Sequence, residues 1–297
     1  LLISKSLIMQ NDQCSLSTYL KTHHKSQMEV SPALKRIFAM GNEVNEFAYR
    51  LLSSLPALKI DTLELNTALE LTGEALKNCQ SVFEGSFMFE SCLVRIDILK
   101  RNGDGWDLIE VKSSTKVKPE HIKDVSIQAF IASKFINIKR VYIATINRKN
   151  YSYPDRVFNL EDVSSSLDMK WVQESIQSTW RSTKYETKIK PGKQCSSPHD
   201  CPFLKFCKDR NNVPTPSTLD FSFPNRWDYV DRGIYSLDKV EEDHRFIKHL
   251  KRPFIDLKGI KSELGDIEEF HSLDFESISY PVPIMDYLLP YENIPFQ

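Results

Sequence analysis

At 297 residues, 41% of them hydrophobic, the chain can bury a substantial core and has length for more than one domain. Its 39 Lys and Arg against 40 Asp and Glu give a formal charge of −1, which excludes an all-over cationic coat; contact with nucleic acid has to come from local patches. Six cysteines are too few for a disulfide framework, and the apolar residues at 1–3 and 7–9, interrupted by Lys5, fall far short of a membrane span or an export signal. A reduced, cytoplasmic setting with no membrane partner is the expectation.

Hydrophobic periodicity predicts a mixed α/β chain. Residues 31–55 and 63–79 carry apolar side chains at helical spacing, and strands are expected at 81–87, 93–99 and 106–111. Asn102, Gly103, Asp104 and Gly105 read as a turn, so the last two of these strands should pair as a hairpin. A helix follows over 121–136, with Val125, Ala129, Ala132 and Ile136 on one side and Asp124 and Gln128 one turn apart on another. Then come a strand at 140–146, a helix over 162–183, an irregular basic stretch at 184–207, a linker marked by Pro214 and Pro216, and charged, helical material over 235–264. Cys79 and Cys92 read as core residues.

The chemistry concentrates on the hairpin. Side chains alternate faces along a strand, so Glu110 and Lys112 should project together while Ile109 and Val111 enter a core. On the preceding strand Val94, Ile96 and Ile98 form the buried face and leave Arg95 and Asp97 on the other. Two carboxylates close together on a rigid sheet repel unless a cation lies between them, and hard oxygen ligands suit Mg²⁺ or Mn²⁺. Lys112 would add a fixed positive charge beside a phosphoryl group. A helix packed across this strand could bring Gln128 over the same place. The plain alternative is a solvated Glu and Lys pair on an edge strand. Lysines 116, 118 and 123 after the hairpin, and others around 139–149 and 184–193, supply either a phosphate track or ordinary solvated faces.

This order of an acid, a Glu-x-Lys and a helix bearing Gln resembles the PD-(D/E)xK nuclease superfamily, in particular its RecB-like branch. The resemblance implies a restriction-endonuclease-like core, with a mixed central sheet flanked by helices. It also implies a metal-dependent, exonuclease-like hydrolase of DNA, taken as single strands or duplex ends. It assigns Asp97, Glu110, Lys112 and Gln128 to catalysis, and Asp97, Glu110 and the Val111 carbonyl to the metal. That branch places a His ligand on an earlier helix where this chain has Asn45; Glu46, one residue on, and Glu84, in the first strand, are the candidates to replace it. A Tyr one turn after the Gln is replaced by Ala132. These departures motivate a second reading, a nucleic-acid-binding scaffold of the same fold that no longer cuts.

Cys195, Cys201 and Cys207 form a triplet, and Cys14 stands near the other end of the chain. Four thiolates can hold a zinc ion or a [4Fe–4S] cluster. RecB-like exonucleases with one Cys before the nuclease core and three after it are similar, which implies a [4Fe–4S] cluster on Cys14, Cys195, Cys201 and Cys207, although the first spacing of the triplet is longer here. Zn²⁺, and with it a zinc-stapled interaction module, is the alternative. His199 reads as a substitute ligand or a loop residue.

Near the end, Asp274 and Glu276 share one face of an expected apolar strand, an i, i+2 pair that resembles the first acidic motif of an RNase H-type, DnaQ-like exonuclease. With the cysteine triplet, it resembles a bacterial two-module nuclease family. The division expected is a nuclease domain with its Cys cluster at 1–212, a largely helical linker at 213–265, and the truncated opening of an RNase H-like domain at 266–297. Lacking the further acids of a two-metal site, Asp274 and Glu276 cannot complete one here.

Overall fold

The computed structural model describes residues 2–29, 32–240, 257–265, 276–283 and 288–295. The chain is α/β, with a mixed central sheet flanked by helices. It divides into two compact units, one of residues 1–25, 30–187 and 278–294, the other of 26–29, 188–277 and 295–297.

In the first unit the strands are β1 (Ile3–Ser4), β2 (Ala57–Lys59), β3 (Ser81–Phe89), β4 (Cys92–Asn102), β5 (Gly105–Lys112), β6 (Ile138–Ile146) and β7 (Phe158–Asp162). Their order is β2-β3-β4-β5-β6-β7, with β1 beside β4. The β3–β4, β4–β5 and β6–β7 pairs are antiparallel, and β1–β4, β2–β3 and β5–β6 are parallel. The hairpin turn works because Gly103 takes φ +59. Gly105 has to be glycine for a different reason: a Cβ there would collide with the Asn137 carbonyl and the Lys139 side chain.

The helices are α1 (Lys5–Gln13), α2 (Ser15–His23), α3 (Pro32–Leu52), α4 (Leu65–Asn78), α5 (Pro119–Ala132) and α6 (Met169–Ser182). One face of the sheet carries Val82, Ile96, Leu99, Leu108 and Ile143 against apolar residues of α1, α4, α5 and α6. The other carries Phe83, Ile98, Ile109, Val111 and Ile146 against Val44, Ala48 and Tyr49 of α3. Central strands buried on both faces explain the nearly continuous apolar runs of β5 and β6. Residues of the 278–294 segment pack here too. Val282 is buried in the second core, the Tyr151 hydroxyl donates to the Pro283 carbonyl, and the Tyr291 hydroxyl donates to the Ser113 carbonyl.

Two expectations for the first unit are corrected. Val94, Ile96 and Ile98 do not share a face: the first two lie in the first core and Ile98 in the second. The β3–β4 ladder pairs Phe83 with Ile98 and then Gly85 with Ile96, leaving Glu84 and Asp97 between. Glu84 there takes φ 56, a left-handed residue that flips the alternation of the strands around it. Nor does a helix begin at Asp162, which ends β7. Helix α6 begins after Asp168, whose carboxylate accepts the Trp171 N–H at 2.8 Å as its cap.

The second unit holds the short helices α7 (Leu204–Arg210) and α8 (Arg226–Asp231), a small core of Phe223, Tyr229, Leu237 and Val240, and a helix over Leu257–Leu264. Helix was expected through 235–264; Leu237–Lys239 is a single 3₁₀ turn, and 241–256 lie outside the described residues. Among the described residues no helix is long and apolar enough to cross a membrane.

Candidate active site

The site begins as a gap in a ladder. Strand β5 pairs with β4 only from Ile98↔Ile109 to Asn102↔Gly105. Beyond that point the Val111 N–H donates to the side chain of Asp97, 2.8 Å to Oδ2, so a carboxylate stands where a backbone carbonyl would be. Because β3 occupies one edge of β4 throughout, the pairing of β1 with Cys92 and Leu93 has to use the edge that β5 has left. Among the described residues, 94–97 have no strand partner on that edge. The residue after β1 is Lys5, first of α1, which is thereby delivered into the opening.

Glu110, 2% exposed, sits at the centre. Its Oε1 accepts from Lys112 Nζ at 2.6 Å and from Lys5 Nζ at 3.1 Å, and its Oε2 accepts from Gln128 Nε2 at 2.7 Å. Helix α5 turns Asp124 and Gln128 toward the sheet, and both are buried. Lys112 also donates to Asp124 Oδ2. Lys5 Nζ lies 3.0 Å from Asp124 Oδ1, but that oxygen has no partner at hydrogen-bond geometry, so this contact is ionic and not a directed bond. Gln128 Oε1 is buried with no hydrogen-bond partner. The alternation expected of Glu110 and Lys112 therefore holds, with Ile109 and Val111 in the opposite core.

Three acids (Asp97, Glu110, Asp124) face two lysines, a surplus of one negative charge. Burial, and then repulsion from Glu110, lift the half-buried Asp97 well above the usual carboxylate range, against the pull of Lys5 and Lys112. Burial alone would lift Asp124 too, but Lys5 and Lys112 reverse it and hold that carboxyl low. For Lys112 burial disfavours the charged form, yet Glu110 and Asp124 more than offset it, so the ammonium titrates above its ordinary value.

Glu84 lies across the β3–β4 pair from Asp97. It accepts from the Tyr49 hydroxyl at 2.6 Å, and burial followed by that bond pushes the phenol well up. Its left-handed backbone costs about 1–3 kcal/mol, a cost met by the packing on both sides. Glu46 is exposed on α3 and paired with Lys59 at 2.5 Å. Among the described residues no group of three or more His, Cys, Asp or Glu is arranged to hold a metal ion; around Glu110 and Asp124 the ammonium groups of Lys5 and Lys112 occupy the acids.

Of the cysteines, Cys195 ends a 3₁₀ turn, with its Sγ accepting the Gly192 N–H at 3.5 Å. The Cys201 N–H closes the loop onto the Cys195 carbonyl at 2.8 Å, and Cys207 lies on α7. Cys195 and Cys207 are buried. Cys14 joins α1 to α2 in the first unit, its N–H on the Gln10 carbonyl at 2.9 Å. Cys92 is a buried core residue, its thiol pushed up to about 12 by burial. His199 is exposed, and so is Glu276, just before the two-residue strand β8 (Ser277–Ile278); Asp274 lies outside the described residues.

Sequence reasoning did not single out Lys5 or give Asp124 a role. Asp124 was visible one turn before Gln128, whereas Lys5, 105 positions from Glu110, carried no local signal.

No family model matches the chain, and no curated protein matches it. Among solved structures it is similar to SSO0001, at 14% identity and a TM-score of 0.38, over 70% of this chain and 86% of that one. A likeness that loose carries no argument about activity.

Proposed function

We propose that the first unit is a metal-dependent nuclease of the PD-(D/E)xK, RecB-like kind, hydrolysing DNA with Asp97, Glu110 and Lys112 at its centre and Gln128 assisting. The observation that supports this most is the gathering of Asp97, Glu110, Lys112 and Gln128 around one gap in the β4 edge. The surplus negative charge, an all-oxygen donor set and the buried, unpartnered Gln128 Oε1 fit a small hard cation such as Mg²⁺ or Mn²⁺. Asp97, Glu110 and the Val111 carbonyl would hold it. Such an ion supplies Lewis-acid stabilisation of phosphoryl charge and acidifies water.

The protein's own groups divide the remaining work. Lys112 stays protonated between Glu110 and Asp124, so it serves as a fixed cation for phosphate charge and not as a base. Gln128 pins the rotamer of Glu110 through Oε2. Beside the end of β5, a groove of about 990 Å³ is lined by Lys116, Lys118 and Lys123 and also by Glu161 and Asp168; its three lysines offer a path for phosphates. Lys112→Ala should lower cleavage of end-labelled DNA about a thousandfold while DNA binding survives. Equal cleavage by variant and parent refutes the assignment. A thermal melt checks that the variant is folded, with Lys112→Met as the substitute if it is not.

A non-cutting scaffold is the second reading. It is favoured by Asn45 in place of a His and by the occupation of both Glu110 oxygens by protein donors. Such a protein would bind DNA with no dependence on Mn²⁺. The cysteine reading is a separate proposal: a [4Fe–4S] protein is brown and a zinc protein colourless, and Cys14→Ser shows whether that thiolate belongs to the ligand set. The reading of Asp274 and Glu276 as the opening of an RNase H-like module has only their spacing in its support.

A further inference from the structure

We infer that Lys5 is a built-in counter-ion of the candidate active site: it neutralises Glu110 and Asp124 while no divalent cation is bound, and it competes with that cation for Glu110 Oε1. The inference rests on the metal-dependent reading and deepens it by naming a residue that regulates loading of the same site.

Three observations carry it. Lys5 is placed by a constructed contact, since β1 pairs with the stretch of β4 edge that β5 leaves free, and α1 starts at the next residue. The side chain is only 23% exposed and reaches two carboxylates, at 3.1 Å and 3.0 Å. A flexible surface lysine would not hold both contacts at once. Glu110, moreover, accepts two ammonium donors on Oε1 and one amide donor on Oε2, so ligation of a cation through Oε1 requires one donor to yield.

Lys5 is the donor best able to do so. Lys112 is two residues from Glu110 on the same strand and holds the shorter bond, 2.6 Å. Gln128 is wholly buried and bonds the other oxygen. Lys5 holds the longest of the three bonds and already touches Asp124, so it can leave Glu110 and keep a counter-charge. Charge points the same way: three acids and two lysines leave −1, and an added dication brings the cluster to +1, which matches one phosphodiester charge. With two ammonium groups already on Oε1, a carboxylate oxygen has no lone pair left for a dication and the charges repel, so one ammonium, the more loosely held Lys5, has to leave that oxygen.

The test titrates Mn²⁺ into the full chain at pH 8 by calorimetry, comparing the wild type with Lys5→Met, and follows thermal melting of both in EDTA. Lys5→Met should bind Mn²⁺ on the order of tenfold more tightly, because a competing cation is gone. It should also melt lower in EDTA, because Glu110 and Asp124 lose their counter-charge, and recover when Mn²⁺ is saturating. Affinity equal to or weaker than that of the wild type overturns the inference while leaving the metal site standing. If neither protein binds Mn²⁺, the metal-dependent reading fails and takes this inference with it. Should Lys5→Met not fold, the same titration on Lys5→Gln, which keeps the stem and a polar head, decides the matter by the same criteria.

Discussion

Among the described residues, charge is buried in two places and resolved differently in each. In the second unit Lys208 meets one carboxylate, with Nζ 2.7 and 2.8 Å from the two oxygens of Asp220, and Ser217 completes Oδ2 through its N–H at 2.7 Å and its hydroxyl at 2.9 Å. One cation answers one anion. Burial would lift the Asp220 carboxyl, but the bonds from Lys208 and Ser217 hold it below its usual range. In the first unit three acids meet two lysines, and the Asp97 carboxyl is lifted. A closed pair serves the fold; a buried surplus is left without an answering charge of its own, and clusters of that kind concentrate at functional sites.

Breaking the closed pair should have the largest effect on stability. Asp220→Asn leaves an ammonium whose side chain is 7% exposed without its counter-charge. Breaking a buried pair costs about 3–5 kcal/mol, and the partial exposure of Asp220 brings the expected loss to roughly 2–3 kcal/mol, read by urea unfolding at pH 7. Because the folded-state pKa is depressed, this contribution is present above the unfolded carboxylate value and is lost as pH falls through the lower folded one. Wild type and variant should therefore converge in acid. Identical unfolding curves at pH 7 would show that the pair holds nothing.

The surplus cluster predicts the opposite sign. Asp97 is raised, so the folded protein binds its proton more tightly than the unfolded chain, and ionising it at neutral pH opposes folding. In EDTA at pH 8, Asp97→Asn should stabilise the protein by about 1–2 kcal/mol, since Asn can still accept the Val111 N–H. The advantage should shrink as pH falls through the raised folded value and vanish below about pH 4. Added Mn²⁺ should stabilise the wild type but not the variant. A variant less stable than the wild type in EDTA at pH 8 would contradict a negative surplus.

What the sequence disclosed of this arrangement was whatever rests on local period. Glu110 and Lys112 were legible because alternation needs only neighbouring residues, and Ile109 and Val111 do enter the opposite core. Gln128 followed from its place on the next helix. The face switch at Asp97 was not legible, because the left-handed residue that produces it is a Glu, without the Gly or Asn that would announce it. The false helix start at Asp162 has a local cause as well. Its carboxylate accepts the N–H and hydroxyl of Ser164, at 3.0 and 2.6 Å, a turn that looks like a cap in sequence. Lys5 depends on a two-residue strand with no periodic signature, and only tertiary pairing could reveal it.

Gln128 separates the two kinds of burial with the smallest effect on stability. Gln128→Leu removes the donor to Glu110 Oε2, which costs on the order of 1–3 kcal/mol for a buried acceptor, but it also removes a buried oxygen with no partner, a gain of similar size. The two nearly cancel, and Glu110 keeps both lysines on Oε1, so urea unfolding should shift by less than about 1 kcal/mol. Mn²⁺ affinity should nonetheless fall about tenfold, as it does when a residue that orients a ligand is lost. A loss of several kcal/mol with Mn²⁺ affinity unchanged would mean that the amide is fully satisfied, as Lys208 and Asp220 are, and that Gln128 belongs to the fold and not to the site.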